Sequence, residues 1–174
     1  MRYFELFGLA PSYQLDLAKL NQHYLELQRA VHPDKFAGGS ERDKLLAVQK
    51  TAEINDAFAT LKHPVKRAEY MLSEQGVDIR AEQQTLQDPM FLMEQMELRE
   101  ALAEIRDAAD PEAAAADLED QIKTLDVRYS AQLGTLLGSN DAAQLEQAAD
   151  HIRKLKFVYK LREELARIED SLFD

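Results

Sequence analysis

Five consecutive residues, His32-Pro33-Asp34-Lys35-Phe36, bring an imidazole, a carboxylate and an ammonium within four positions of one another. Such a cluster can move protons, or it can present polar groups to another molecule. Acid–base work by His32 and Asp34 would need a pocket, a nucleophile and a means of displacing a pKa, and the surrounding sequence supplies none. Metal binding is equally poorly served. The four histidines, His23, His32, His63 and His151, are scattered without ligand spacing, and the chain has no cysteine. That composition excludes disulfides, thiolate catalysis, cysteine-ligated zinc and a cluster held by the chain's own thiolates. No catalytic residue, metal or cofactor is therefore expected, and presentation to a partner is the chemistry left.

The flanking elements decide whether the cluster is accessible. Pro33 has no N–H and drives His32 away from helical dihedrals, so the preceding helix should end near Val31. Asp16 can cap that helix, whose apolar positions Leu17, Leu20, Tyr24, Leu27 and Val31 step by three and four and predict one buried face. Beyond Gly38-Gly39, Ser40 with Asp43 forms an N-cap pattern, and Ala47, Thr51, Ile54, Phe58 and Leu61 repeat the helical step to His63-Pro64. Two such helices joined by a tight loop pack antiparallel and place His32, Pro33 and Asp34 at an exposed tip. A short apolar helix closed by Gly8 precedes them, and another over Lys66–Gln75 follows, stopping at Gly76. His23 is expected as a solvated helix residue.

The charge distribution divides the chain. Its 174 residues carry a net charge of -11, with 10 basic and 10 acidic residues in 1–75 against 11 and 22 in 76–174. The acidic excess opposes binding to nucleic acid or anionic membrane, and the break in charge suggests two modules. Residues 76–87 are polar, weakly periodic and read as a linker, with Val77 and Ile79 as apolar anchors. Asp88-Pro89 and Asp110-Pro111 each start a helix, of about 89–108 and 111–137, and Asp141 starts a third reaching Leu172. Short connections make these an antiparallel three-helix bundle over 88–174, so the fold class is all-α. With no signal-peptide pattern and no apolar run near the ~18 residues of a membrane span, a soluble, cytoplasmic protein is expected.

One helix of the bundle has two apolar faces. At about 100° per residue, Phe91, Leu98, Leu102 and Ile105 share a sector, the core stripe. Measured from Leu98, Leu92, Met93 and Met96 project at roughly 120°, 220° and 160°, with Glu100 among them and Glu97 at their edge. A three-helix bundle buries one sector of each helix, so this second face would forfeit about 1.5–3 kcal/mol per side chain unless a partner, the linker or the first module covers it. Phe157, almost opposite Leu155 on the last helix, poses the same question, although Leu161 and Ile168 lie near it and would bring it into a wider core. With Glu100 and Lys156 around them, Leu92, Met96 and Phe157 read as a protein-binding surface.

These residues resemble a known family. Tyr3 to Leu9, His32-Pro33-Asp34, Ile54-Asn55-Asp56-Ala57-Phe58 and Arg67-Ala68-Glu69-Tyr70 are similar to successive segments of a J-domain, the module by which co-chaperones engage DnaK-type ATPases. The second half extends the likeness: with Phe91-Leu92-Met93-Glu94-Gln95 and Arg153-Lys154-Leu155, the chain resembles the HscB family of co-chaperones in bacterial iron–sulfur cluster assembly. That resemblance implies an N-terminal J-domain that stimulates ATP hydrolysis by HscA, and a C-terminal bundle that holds the scaffold protein IscU. It implies that Asp34 meets an arginine of the ATPase while His32, Arg29 and Lys35 help fix orientation. It also implies a scaffold surface of Leu92, Met93, Met96, Glu97, Glu100, Lys156 and Phe157. Two positions depart from the family pattern, Met96 in place of leucine and Lys156 in place of arginine. The first is a small change of shape, but lysine cannot form arginine's bidentate pair.

Overall fold

The computed structural model describes residues 1–79 and 88–173, and every regular element among them is a helix. The elements are α1 (Arg2–Leu6), α2 (Leu17–Val31), α3 (Glu41–Lys62), α4 (Pro64–Glu74), α5 (Pro89–Glu104), α6 (Pro111–Leu137) and α7 (Ala142–Leu172). They fall into two compact units, Met1–Val77 and Asp78–Asp174. Most of the expected linker lies outside the described residues. Of its ends, Gly76 takes a positive φ of 92° where α4 closes, a dihedral that suits glycine, and Ile79 is buried.

In the first unit α2 and α3 form the antiparallel hairpin, and α1 and α4 both pack on α3. Phe4, Leu20, Ile54, Leu61, Ala68 and Leu72 make the core. The α2 stripe is less buried than its periodicity predicts: Leu20 is enclosed, Tyr24, Leu27 and Val31 are half-buried, and Leu17 is exposed. α1 and α4 pack against α3 and leave much of α2 with one neighbour, so a face long enough for a bundle is only partly covered. The closing segment supplies the ties. Arg67, itself buried, donates from Nη1 to the Tyr13 carbonyl at 3.0 Å and lies over the Tyr13 ring. The Tyr70 hydroxyl accepts the Tyr3 N–H at 2.9 Å while the two rings stack at 4.6 Å. His23 is not a freely solvated residue: its Nδ1 meets the Phe7 carbonyl at 2.5 Å, which requires the proton on Nδ1 and ties α2 to the end of α1. His63 ends α3 and also caps α4, its ring accepting the Val65 and Lys66 N–H groups.

The second unit is the three-helix bundle. Asp88, Asp110 and Asp141 accept backbone N–H groups as the N-caps of α5, α6 and α7, with proline next at the first two. The expected first helix is shorter than its pattern, giving way after Glu104 to a 3-10 turn over Ile105–Asp107. The core stripes hold: Phe91, Leu98, Leu102 and Ile105 face Leu118, Ile122, Leu125, Tyr129 and Leu133 of α6 and Leu145, Ala148, Ile152 and Leu155 of α7, all buried. Ion pairs link each pair of helices: Arg99–Glu164 joins α5 to α7, Arg162–Asp126 at 3.1 Å joins α7 to α6, and Arg128–Glu94 at 3.7 Å joins α6 to α5. Part-exposed pairs of this kind contribute little stability each.

Candidate functional sites

The hairpin tip is built by the backbone before any side chain acts. α2 ends at Val31, and His32 takes φ -56° and ψ 132°, the extended geometry that the following proline imposes. The loop has more regular structure than its polar sequence suggests, because Pro33–Phe36 closes into one turn of 3-10 helix. Its N-cap is His32, whose Nδ1 accepts the Asp34 N–H at 3.2 Å. With Nδ1 serving as acceptor the neutral ring carries its proton on Nε2, so the 3.5 Å approach of Nδ1 to the Asp34 carboxylate is not an ion pair in that state. Asp34 is almost fully exposed, and Arg29, His32 and Lys35 are exposed beside it. The tripeptide is thus a capped 3-10 turn with its carboxylate held out to solvent, where it can accept a charge-assisted hydrogen bond from a partner's guanidinium.

On the bundle, the second apolar face of α5 is open. Leu92, Met93 and Met96 are 42%, 63% and 71% exposed. Phe157 is intermediate, and the reason is visible: its ring stands edge-on to buried Phe91, 5.7 Å between centroids, while the Arg99 guanidinium lies 5.3 Å from its centre on α5. Phe157 therefore belongs in part to the core and in part to the surface. Met96, Glu100 and Phe157 meet with Gln95 and Arg99 around an open groove between α5 and α7 of about 620 Å³. Met93 and Glu97 do not join it. They line a separate cleft with Glu94, Arg128, Tyr129, His151 and Lys154. Leu92 and Lys156 are exposed outside both. The seven residues expected at a scaffold surface thus divide over α5 and α7 instead of forming one pocket. Arg99 was missed by sequence reasoning, although it follows Leu92 by seven and Met96 by three, the spacing of a shared helical face.

No group of three metal-ligating side chains occurs among the described residues. No helix among them is long and apolar enough to cross a membrane.

Residues 87–166 match the family described as HSCB C-terminal oligomerisation domain. The co-chaperone protein HscB homolog of Shewanella loihica is 57% identical over 99% of this chain and 100% of its own length. The chain belongs to the HscB family of co-chaperones. Its fold is likewise that of HscB: the chaperone HscB from Vibrio cholerae superposes with a TM-score of 0.86 at 49% identity, covering 99% of both chains. The human co-chaperone HscB gives 0.85 at 30% identity, with 96% of this chain and 81% of that one covered. The all-α architecture of a J-domain followed by a C-terminal helical bundle is therefore the HscB family fold, and the HscB relatives are named as co-chaperones.

Proposed function

We propose that this protein stimulates ATP hydrolysis by the DnaK-type chaperone HscA and delivers the iron–sulfur scaffold IscU to it, in the cytoplasm. The J-domain, residues 1–75, acts through His32, Pro33 and Asp34, with Arg29 and Lys35 supplying positive charge beside them. The bundle, residues 88–174, holds the scaffold on the α5–α7 ridge, with Leu92, Met96 and Phe157 as apolar anchors and Met93, Glu97, Glu100 and Lys156 around them. Residues 76–87 join the two. The observation that carries this reading is the coexistence of two unspent surfaces: a polar 3-10 turn at the tip of one unit, and an open Leu/Met/Phe ridge on the other.

The protein itself needs no active site in this scheme. Contacts at Asp34 raise the chaperone's rate only insofar as they bind its hydrolysis-competent state more tightly than its resting state. Binding of the scaffold to the same molecule raises its effective concentration at the chaperone's peptide site, so stimulation depends on both halves. Single-turnover ATP hydrolysis by HscA, measured with this protein in the presence and absence of IscU, tests the reading. Stimulation well beyond that given by either protein alone is expected. Stimulation indifferent to IscU would assign the ridge to another client, and no stimulation would overturn the proposal.

A further inference from the structure

All the sulfur in this chain is thioether: it has no cysteine and five methionines, Met1, Met71, Met90, Met93 and Met96. Two of the five lie in the first unit, where Met71 is 4% exposed in the core and Met1 is half-buried at the start of α1. The other three stand on α5 at intervals of three, and Met90, at 81%, is more exposed than either Met93 or Met96. Each step of three residues turns the helix by about 300°, so these side chains fan across roughly 120° and each is the neighbour of the next. They do not serve the bundle core, whose α5 stripe is Phe91, Leu98, Leu102 and Ile105. Met90 and Met93 open into the cleft with Tyr129 and Lys154, and Met96 into the groove with Arg99 and Phe157. Every exposed sulfur of the chain is thus gathered on one helix, beside the apolar ridge.

We infer that Met90, Met93 and Met96 are a modification site, oxidised to sulfoxides by a peroxide, and that oxidation at Met96 switches scaffold binding off. The inference rests on the proposed role of the α5–α7 ridge and extends it to regulation. In the reaction with hydrogen peroxide, the thioether sulfur forms a bond to one peroxide oxygen as the O–O bond breaks, and the other oxygen leaves with both hydrogens as water. Sulfur loses two electrons and the peroxide gains them. The product side chain is polar, and its formation disrupts surfaces that rely on methionine for apolar contact. Pressing a sulfoxide against an apolar partner costs what burying any unpaired polar group costs. Met96 bears most of this cost because it shares its groove with Phe157, the apolar anchor on α7. Oxidation at exposed positions removes no core contact, so the bundle stays folded. The first unit offers no thioether of comparable exposure, so the tripeptide turn is untouched. Peroxide therefore uncouples the two halves: the scaffold is released while the J-domain still acts. Sulfoxides are returned to thioethers by dedicated reductases, which makes the change a switch.

In the test, the full chain is treated alone with hydrogen peroxide, freed of oxidant by gel filtration and mapped by peptide mass spectrometry. IscU affinity, HscA stimulation and thermal midpoint are then measured against the same protein untreated. One added oxygen on each of Met90, Met93 and Met96 is expected, with Met71 spared. The Kd for IscU should rise about tenfold, while stimulation without IscU and the thermal midpoint stay as in the untreated sample. A pair of methionine sulfoxide reductases, one for each epimer, should restore the affinity. Met96→Leu conserves volume and removes the sulfur, so its treated and untreated Kd values should agree within about twofold, whereas Met90→Leu should lose affinity on treatment as wild type does. Each protein is its own reference, so any effect of the substitution itself cancels. Oxidation of Met71 ahead of the other three, an unaltered Kd after treatment, an equal loss in Met96→Leu, or a loss that accompanies unfolding would each overturn the inference and leave the proposed function standing. Failure of the untreated chain to bind IscU would overturn the proposed function, and the switch with it.

Discussion

At the scale of single residues, Met96 and Phe157 show why exposure must be read from packing and not from a helical wheel. Both project off the core stripes of their helices, yet Met96 is 71% exposed and Phe157 rests its edge on Phe91 with Arg99 beside its ring. Truncating Met96 removes surface only. Truncating Phe157 removes surface and a wall of the core. Alanine at either position is expected to weaken IscU binding by about 1–3 kcal/mol. Thermal or denaturant unfolding separates the two: Met96→Ala should leave stability within about 0.5 kcal/mol of wild type, whereas Phe157→Ala should lose roughly 1.5–2.5 kcal/mol, about half the cost of emptying a fully buried phenylalanine site. Equal stability for the two variants would show that the ring's contact with Phe91 contributes nothing.

At the scale of an element, α5 depends on how its first turn is held. Asp88 caps the helix through the Met90 and Phe91 N–H groups and meets Lys154 Nζ of α7 at 3.1 Å. The Lys154 ammonium also lies 5.5 Å and 5.7 Å from the centres of the Phe91 and Tyr129 rings, so a cation on α7 is fastened to the start of α5 and to the core beneath it. The hydrogen bond from Lys154, helped by the Phe91 N–H, holds the Asp88 carboxyl below its ordinary value of 3.8. A carboxylate lowered in this way stabilises the fold above its unfolded pKa, and that contribution is lost as the pH falls through the lowered folded value. Asparagine keeps the cap but removes the charge. Asp88→Asn is therefore expected to melt below wild type at pH 7, with the gap closing in acid below about pH 3.8. A gap independent of pH would mean that the cap geometry, and not the Lys154 pairing, carries the difference.

At the scale of the whole molecule, the two units have separate cores: Phe4, Leu20, Ile54, Leu61 and Leu72 in Met1–Val77, and the stripes of α5, α6 and α7 in Asp78–Asp174. A chain of residues 1–77 is expected to fold with its hairpin and closing ties intact, because Arg67, Tyr70, Tyr13 and Tyr3 all lie within it. In the proposed scheme this fragment stimulates HscA weakly, and IscU adds nothing, since the ridge that raises its local concentration is gone. Circular dichroism with single-turnover hydrolysis checks both parts. A fragment that still responds to IscU would sink the delivery scheme.

Much of this architecture was legible in the sequence because its signals are local. Pro33 stops α2 by sterics within two residues, aspartate before proline starts α5 and α6, and a three–four apolar step reports which side of a helix seeks cover. The all-α class, the accessible tripeptide and the second face of α5 therefore needed no coordinates. What the sequence could not determine was how much cover each face receives, because that depends on neighbours distant in the chain. Leu17 lies in a regular stripe and is exposed because no neighbour encloses it, while His23, polar and isolated in sequence, is tied to the Phe7 carbonyl sixteen residues away. Packing also turned the tripeptide loop into a capped 3-10 turn against α3, drew Phe157 halfway into the core and brought Arg99 over it. Periodicity records a residue's direction from its own helix axis; only the tertiary structure decides what stands in that direction.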